Sequence, residues 1–149
     1  LVVGKEGKGP VLLTMVERKE REPLLFKLPD KRAESVRQVF DTLERKMGKR
    51  RFRERFRTIT TDNGPEFLEY EKLVESIHGG ERFRVYYCHS YSAWEKGSNE
   101  NMNRMIRRWF PKGTDFSRVP KKEIAEFQDW LYHYPRKVLG WKSPAELAL

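Results

Sequence analysis

Cysteine is almost missing: Cys88 is the one thiol in 149 residues. An internal disulfide is therefore impossible, no zinc cluster of cysteine and histidine can be assembled around it, and Cys88 reads as a bystander. Histidine is scarce too, and His78, His89 and His133 show no metal-ligand spacing. No apolar run approaches the roughly 20 residues that cross a bilayer, and the opening LVVGKEGKG lacks the charged-then-apolar order of a secretory signal. The expectation is a soluble, cytoplasmic protein with no membrane partner. Internal repeats and low-complexity linkers are also lacking, and 149 residues of 17.9 kDa suit one domain spanning 1–149.

Positive charge is what the chain has in excess. Lys and Arg number 31 against 22 Asp and Glu, a formal charge of +9 and a pI near 9.7. Charge alone leaves nucleic-acid binding and mere solubility level, but its distribution favours a polyanion. KRRFRERFR at 49–57 and NRMIRRWFPK at 103–112 interleave cations with aromatics, suited to phosphate contacts with stacking or packing beneath.

Periodicity supplies the order of elements. LVV at the start, VLLTMV at 11–16 and LLFKL at 24–28 read as strands separated by turn segments. Ala33, Val36, Val39, Phe40, Leu43 and Met47 then recur at helical steps behind Asp30 as a possible cap, while 48–57 reads as a basic loop or frayed helix end. A short strand at 57–61, a helix over 66–78 ended by Gly79-Gly80, and a strand at 82–87 follow. Helical spacing returns at 98–110 and 121–133, and SPAELAL reads as a short helix with Pro144 in its first turn. Hairpin-joined strands followed by helix-linked ones imply a mixed α/β sheet. The ribonuclease-H-like order, a mixed five-stranded sheet flanked by helices, is one such fold.

Two carboxylates stand out. Asp62 follows the strand RTITT, at the edge where α/β sheets assemble ligand sites, although Asp-Asn-Gly is also an ordinary turn composition. Glu100 comes 38 positions later, in the first turn of a helix that Ser98 could cap. Met102, Met105, Ile106 and Trp109 point one way on that helix, and Glu100, Arg104 and Arg107 roughly the other. A solvated Glu100–Arg104 pair explains that spacing as well as a metal ligand beside phosphate-binding guanidiniums does. Phosphoryl transfer by two Mg²⁺ ions would want oxygen ligands from distant chain positions and needs no local histidine or serine base.

Taken in order, VVGKEGKGPVLLTMVERKER, LPDKRAESV, TITTDNGPEF, YCHSYSAWEKGSNENMNRMIRRWFPKGTDFS and PRKVLGWKSPAEL resemble the catalytic core of the insertion-sequence-thirty family of transposases, in the retroviral-integrase superfamily. The resemblance covers nearly the whole chain and is most specific between Tyr91 and Phe116. It implies a bacterial, nucleoid-associated enzyme with a ribonuclease-H-like domain. Such an enzyme cuts transposon ends and joins them to target DNA, working as a homo-oligomer with Mg²⁺, or Mn²⁺ as a substitute. On that pattern Asp62 and Glu100 are the second and third members of a catalytic, metal-binding triad, and Glu95 does not align. The first aspartate would precede Leu1, so the chain by itself is expected to be inactive or nearly so. Lys96, Arg104, Arg107, Arg108 and Lys112 flank the expected site as candidate DNA-backbone contacts, and Trp94 and Trp109 are expected to pack. A hydrolysis-only nuclease and a non-catalytic DNA-binding or assembly module remain the alternatives.

Overall fold

The computed structural model describes residues 2–3, 9–17, 20–61, 70–87, 102–136 and 139–147. These fall into two compact units, one drawn from the two ends of the chain (1–30 and 93–149) and one from its middle (31–92).

The first unit is built on an antiparallel sheet of β1 (Val2–Val3), β2 (Val11–Val16) and β3 (Pro23–Leu28) in that order. Leu12 faces Val2 on one side and Lys27 on the other. Val11, Leu12 and Leu13 are buried in succession, so both faces of β2 are covered there. Helix α4 (102–109), a 3₁₀ turn at Phe116–Arg118 and helix α5 (Lys121–Tyr132) pack on this sheet. Leu12 and Leu25 meet Met102, Met105, Ile106, Phe110, Phe116, Ile124, Phe127 and Leu131 in one apolar cluster. That burial is the main force holding the unit together.

The edge strand is closed by side chains from the helical layer. The Leu25 N–H donates to Gln128 Oε1 (2.8 Å) and Lys27 Nζ donates to the Val119 carbonyl oxygen (2.9 Å). The Leu25 N–H is thus occupied at the edge, and the Lys27 side chain ties the strand to the turn before α5. Helix α6 (Pro144–Leu147) opens on Ser143, whose Oγ accepts the Glu146 N–H, as Ser-Pro at a helix start predicts.

The second unit runs α1 (Ala33–Met47), α2 (Lys49–Arg55), β4 (Thr58–Thr61), α3 (Tyr70–Val74), β5 (Arg84–Tyr87). β4 and β5 pair in parallel, a pairing that requires a crossover, and the intervening segment carries α3. Val36, Phe40, Phe52, Phe56, Leu73 and Phe83 form its interior, with Phe40 edge-on to Phe83 (5.0 Å) and Phe52 stacked on Phe56 (4.8 Å).

Three expectations change. The basic stretch after α1 is an ordered helix, separated from α1 by Gly48 at φ +82°, a conformation costly for any residue with a Cβ. Phe52 and Phe56 stabilise that helix by burial, which charge patterning does not reveal. The N-cap position of α1 falls on Arg32, without a side-chain cap bond, two residues after the Asp30 expected there. The described strands form sheets of three and two rather than one mixed five-stranded sheet.

Candidate functional site

β4 and β5 run in register from Thr58 opposite Arg84 to Thr61 opposite Tyr87. Both strands therefore reach one edge of the parallel pair, the C-terminal edge at which α/β proteins gather ligand-binding loops. Asp62 is the next residue in sequence after Thr61, which is itself buried. Asp62, Glu100 and Lys96 lie outside the described residues, as do the expected Ser98 cap, Glu95 and Trp94. Among the described residues no group of three or more His, Cys, Asp or Glu could hold a metal ion.

The remaining candidates lie on α4 and just beyond it. Met102, Met105 and Ile106 are buried, which turns Arg104 and Arg108, one helical turn apart, to solvent. Arg107 is half-buried, and its Nη1 donates to the carbonyl oxygens of Phe110 (3.3 Å) and Pro111 (3.5 Å). Both carbonyls lie just past the helix, and that of Pro111 also accepts from Thr114, so this guanidinium is turned onto the segment that ends its own helix. Trp109 is 43% exposed and packs one flank on Phe127 (5.0 Å) and Trp130 (5.6 Å).

The run FPKGTDF is a built turn. The Thr114 N–H donates to the Pro111 carbonyl (3.1 Å), Gly113 takes φ +90°, and Asp115 Oδ1 accepts the Ser117 N–H (3.0 Å). Phe110 and Phe116, buried on either side at 5.7 Å, hold it to the core, and Lys112 stands exposed at the tip. The turn thus fixes Lys112 beyond the end of the helix that carries Arg104 and Arg108. The three exposed cations form a suitable set for phosphate oxygens.

In the second unit the structure shows a buried ionic knot that periodicity missed. Glu44 continues the buried line of Val36 and Phe40 along α1 and is fully enclosed. Its Oε1 accepts from Ser76 Oγ (2.8 Å) and the Ile77 N–H (2.7 Å). Arg82 donates through Nη1 to Asp41 (2.6 Å) and through Nε to the Leu73 carbonyl (2.7 Å), with its guanidinium over the rings of Phe40 and Phe83. The knot ties α1, α3 and the approach to β5, and so sets the strand whose end lies beside Thr61. A glutamate at the right helical step was the only available signal, and it resembles any surface glutamate.

Arg136 closes a turn through its N–H to the Lys142 carbonyl (2.9 Å). Burial, opposed by Tyr134 and reinforced by Arg21, lowers its pKa from the ordinary arginine value. His133, with Nδ1 2.9 Å from the Asp129 carbonyl oxygen, is bound within its own helix. No helix among the described residues is long and apolar enough to cross a membrane.

Exposed basic helices and parallel-strand edges each belong to many proteins, and comparison with known sequences is more specific: it finds transposases of insertion sequences. The chain is 36% identical over 145 residues to the transposase for insertion sequence element IS4351 of Bacteroides fragilis, covering 97% of this chain and 41% of that protein. It is 35% identical over 142 residues to the transposase for IS1086 of Cupriavidus metallidurans, covering 95% and 39% respectively. It is 31% identical over 144 residues to transposase InsI for IS30C of Escherichia coli, covering 94% and 34%. Nearly the whole chain is therefore related to insertion-sequence transposases, members of the insertion-sequence-thirty family among them, as its motifs imply. It spans about two fifths of the length of the first two of these relatives. No protein-family model matches the chain.

Proposed function

We propose that this chain is the catalytic-core segment of a transposase that cuts the ends of an insertion sequence and joins them to target DNA. The single observation that carries the reading is the 31–36% identity to such transposases over 94–97% of the chain. The parent protein would work in the bacterial cytoplasm, associated with the nucleoid, as a homo-oligomer on DNA. The segment would fold as a ribonuclease-H-like domain.

In this reading Asp62 and Glu100 hold Mg²⁺, or Mn²⁺ in its place, since hard divalent cations take carboxylate oxygens. The ion would supply activation of an attacking oxygen and stabilisation of a leaving oxygen in phosphoryl transfer. A third carboxylate would complete the set. Lys96, Arg104, Arg108 and Lys112 bind DNA phosphates and orient the strand. Arg107 contributes less to binding, because its guanidinium already serves the carbonyls of Phe110 and Pro111. His78 and His133 take no part, as general-base chemistry needs neither.

Oligonucleotide cleavage and strand transfer in Mg²⁺ or Mn²⁺ test the reading, with the parent protein, its Asp62→Asn and Glu100→Gln variants, and the chain itself, each checked for folding. Activity in the parent that either substitution abolishes supports the carboxylate mechanism. A folded parent that binds DNA without cutting, or substitutions without effect, would move the chain to a DNA-binding or assembly role. Cleavage without joining would make it a nuclease.

A further inference from the structure

The excess positive charge of the protein is concentrated in one place. Between Arg45 and Arg57 stand eight cations and one carboxylate, so thirteen residues carry +7 of the chain's +9. They form the last turn of α1, helix α2 and the residues leading into β4. Phe52 and Phe56 are buried, while Arg45, Lys46, Lys49, Arg50, Arg51, Arg55 and Arg57 are exposed and Arg53 is half-buried. Lys49, Arg50, Arg53 and Arg57, with Glu54, line a shallow groove along one flank of α2.

This arrangement works against the stability of the helix. Lys49 with Arg53, and Arg51 with Arg55, place like charges one turn apart, each pair mildly destabilising. Three cations occupy the first turn of α2, where the helix dipole disfavours them, and that turn has no acidic residue. The Arg50–Glu54 pair (3.2 Å), with side chains 92% and 60% exposed, offsets little of this. Lys49, Arg51, Arg53 and Arg57 have no side-chain hydrogen bond or ion pair with any described residue, and Arg53 Nε is buried without a partner. A self-repelling surface held in place by two buried phenylalanines suits a partner that supplies the missing negative charge.

We propose that the exposed face of residues 45–57 is a contact surface for the backbone of duplex DNA, made by none of the residues expected at the carboxylate site and indifferent to base sequence. The proposal rests on the DNA reading above and extends it to a surface in the second unit. A seven-residue helix is about 10 Å long, over which a duplex presents about six phosphate charges, a number the face can match. The stretch contains no Asn or Gln to read adenine edges, and so dense a set of cations on two helical turns suits phosphate oxygens, which carry no sequence information. Its only aromatic residues are buried, which leaves no apolar anchor for a protein partner or a bilayer.

The test is binding of the full chain to two fluorescent 30-base-pair duplexes of unrelated sequence between about 50 and 200 mM salt, a range in which backbone contacts weaken steeply. The compared proteins are the unaltered chain, the K49Q/R51Q/R53Q/R57Q variant, the charge-keeping R51K/R53K/R57K variant and an R104Q/R108Q/K112Q variant. Neutralising the four cations is expected to lower the slope of log affinity against log salt by about 3 to 4 and to weaken low-salt binding roughly tenfold or more on both duplexes. Melting temperature should stay level or rise, and the charge-keeping variant should retain the slope. Unchanged slope and affinity in the neutralised variant, beside a wild-type chain that binds, would overturn this surface and leave the DNA reading standing. Loss of slope in the charge-keeping variant would also overturn it. Failure of the unaltered chain to bind either duplex would sink the DNA reading and this surface with it. A neutralised variant that keeps duplex binding but loses binding to phosphatidylserine vesicles would reassign the face to a membrane.

Discussion

The stretches 49–57 and 103–112 look alike as text, each mixing arginines with aromatic residues, yet the fold uses them differently. In the first, both aromatics are buried and the cations surround them on the outside. In the second, Met105, Ile106 and Phe110 are buried, Trp109 stays half in solvent, and Arg107 is turned onto the segment that ends its own helix. What separates them is the choice of anchor. Phenylalanines four residues apart leave the rest of a short helix free for cations, whereas a methionine-isoleucine stripe leaves the tryptophan to cover a flank. A cation's availability to a ligand thus depends on which neighbours are buried.

Truncating the two anchors gives the largest contrast. Phe52→Ala should cost about 3–5 kcal/mol, the range for a fully enclosed phenylalanine, and should disorder α2. Trp109→Ala, with its ring 43% exposed, should cost roughly half as much by burial alone. Urea unfolding monitored by circular dichroism measures both, and equal losses would show that the two stretches are anchored alike.

Arg82→Ala probes the ionic knot that ties α1 to α3. Removing it leaves Asp41 with the longer Arg37 contact (3.8 Å) and takes a nearby cation from Glu44, at an expected cost of about 3 kcal/mol. Far-ultraviolet and aromatic circular dichroism during unfolding should show the loss, and a change below about 1 kcal/mol would mean the knot is solvated in solution.

Gln128→Ala should cost about 1 kcal/mol, since it unties a single bond to the edge strand, and should speed hydrogen exchange at Leu25. An unchanged exchange rate at that amide would show that Gln128 does not close the edge. The smallest contrast lies within α4. Arg107→Gln should cost a few tenths of a kcal/mol more than Arg108→Gln, because only the former loses contacts to the segment that ends the helix. The order should invert in duplex affinity, with Arg108→Gln weakening binding more.

Local pattern was enough for much of the outline. Hydrophobic runs located β2 and β3, three-and-four spacing located α1 and α5, and the Ser-Pro pair located α6, because each depends on neighbours within a few residues. The relation to insertion-sequence transposases was also legible, carried by the motifs between Tyr91 and Phe116 and supported by identity over nearly the whole chain. The FPKGTDF run was legible as a motif, and the structure supplies its physical content: a turn pinned by Phe110 and Phe116.

Long-range burial decided the rest. Glu44 and Ser76 are 32 residues apart, and Arg82 reaches back 41 residues to Asp41, so no local window reveals that these polar groups belong inside. α2 is a helix because Phe52 and Phe56 join the rings of Phe40 and Phe83, despite charge repulsion that by itself favours a loop. Arg107 and Arg108 are adjacent in sequence, and only the turn at the end of α4 gives one of them carbonyls to bind. Composition and spacing determined which residues carry charge and which periods they follow. Tertiary packing determined which charges are satisfied within the protein and which face outward, because desolvation and pairing depend on what surrounds a group in space.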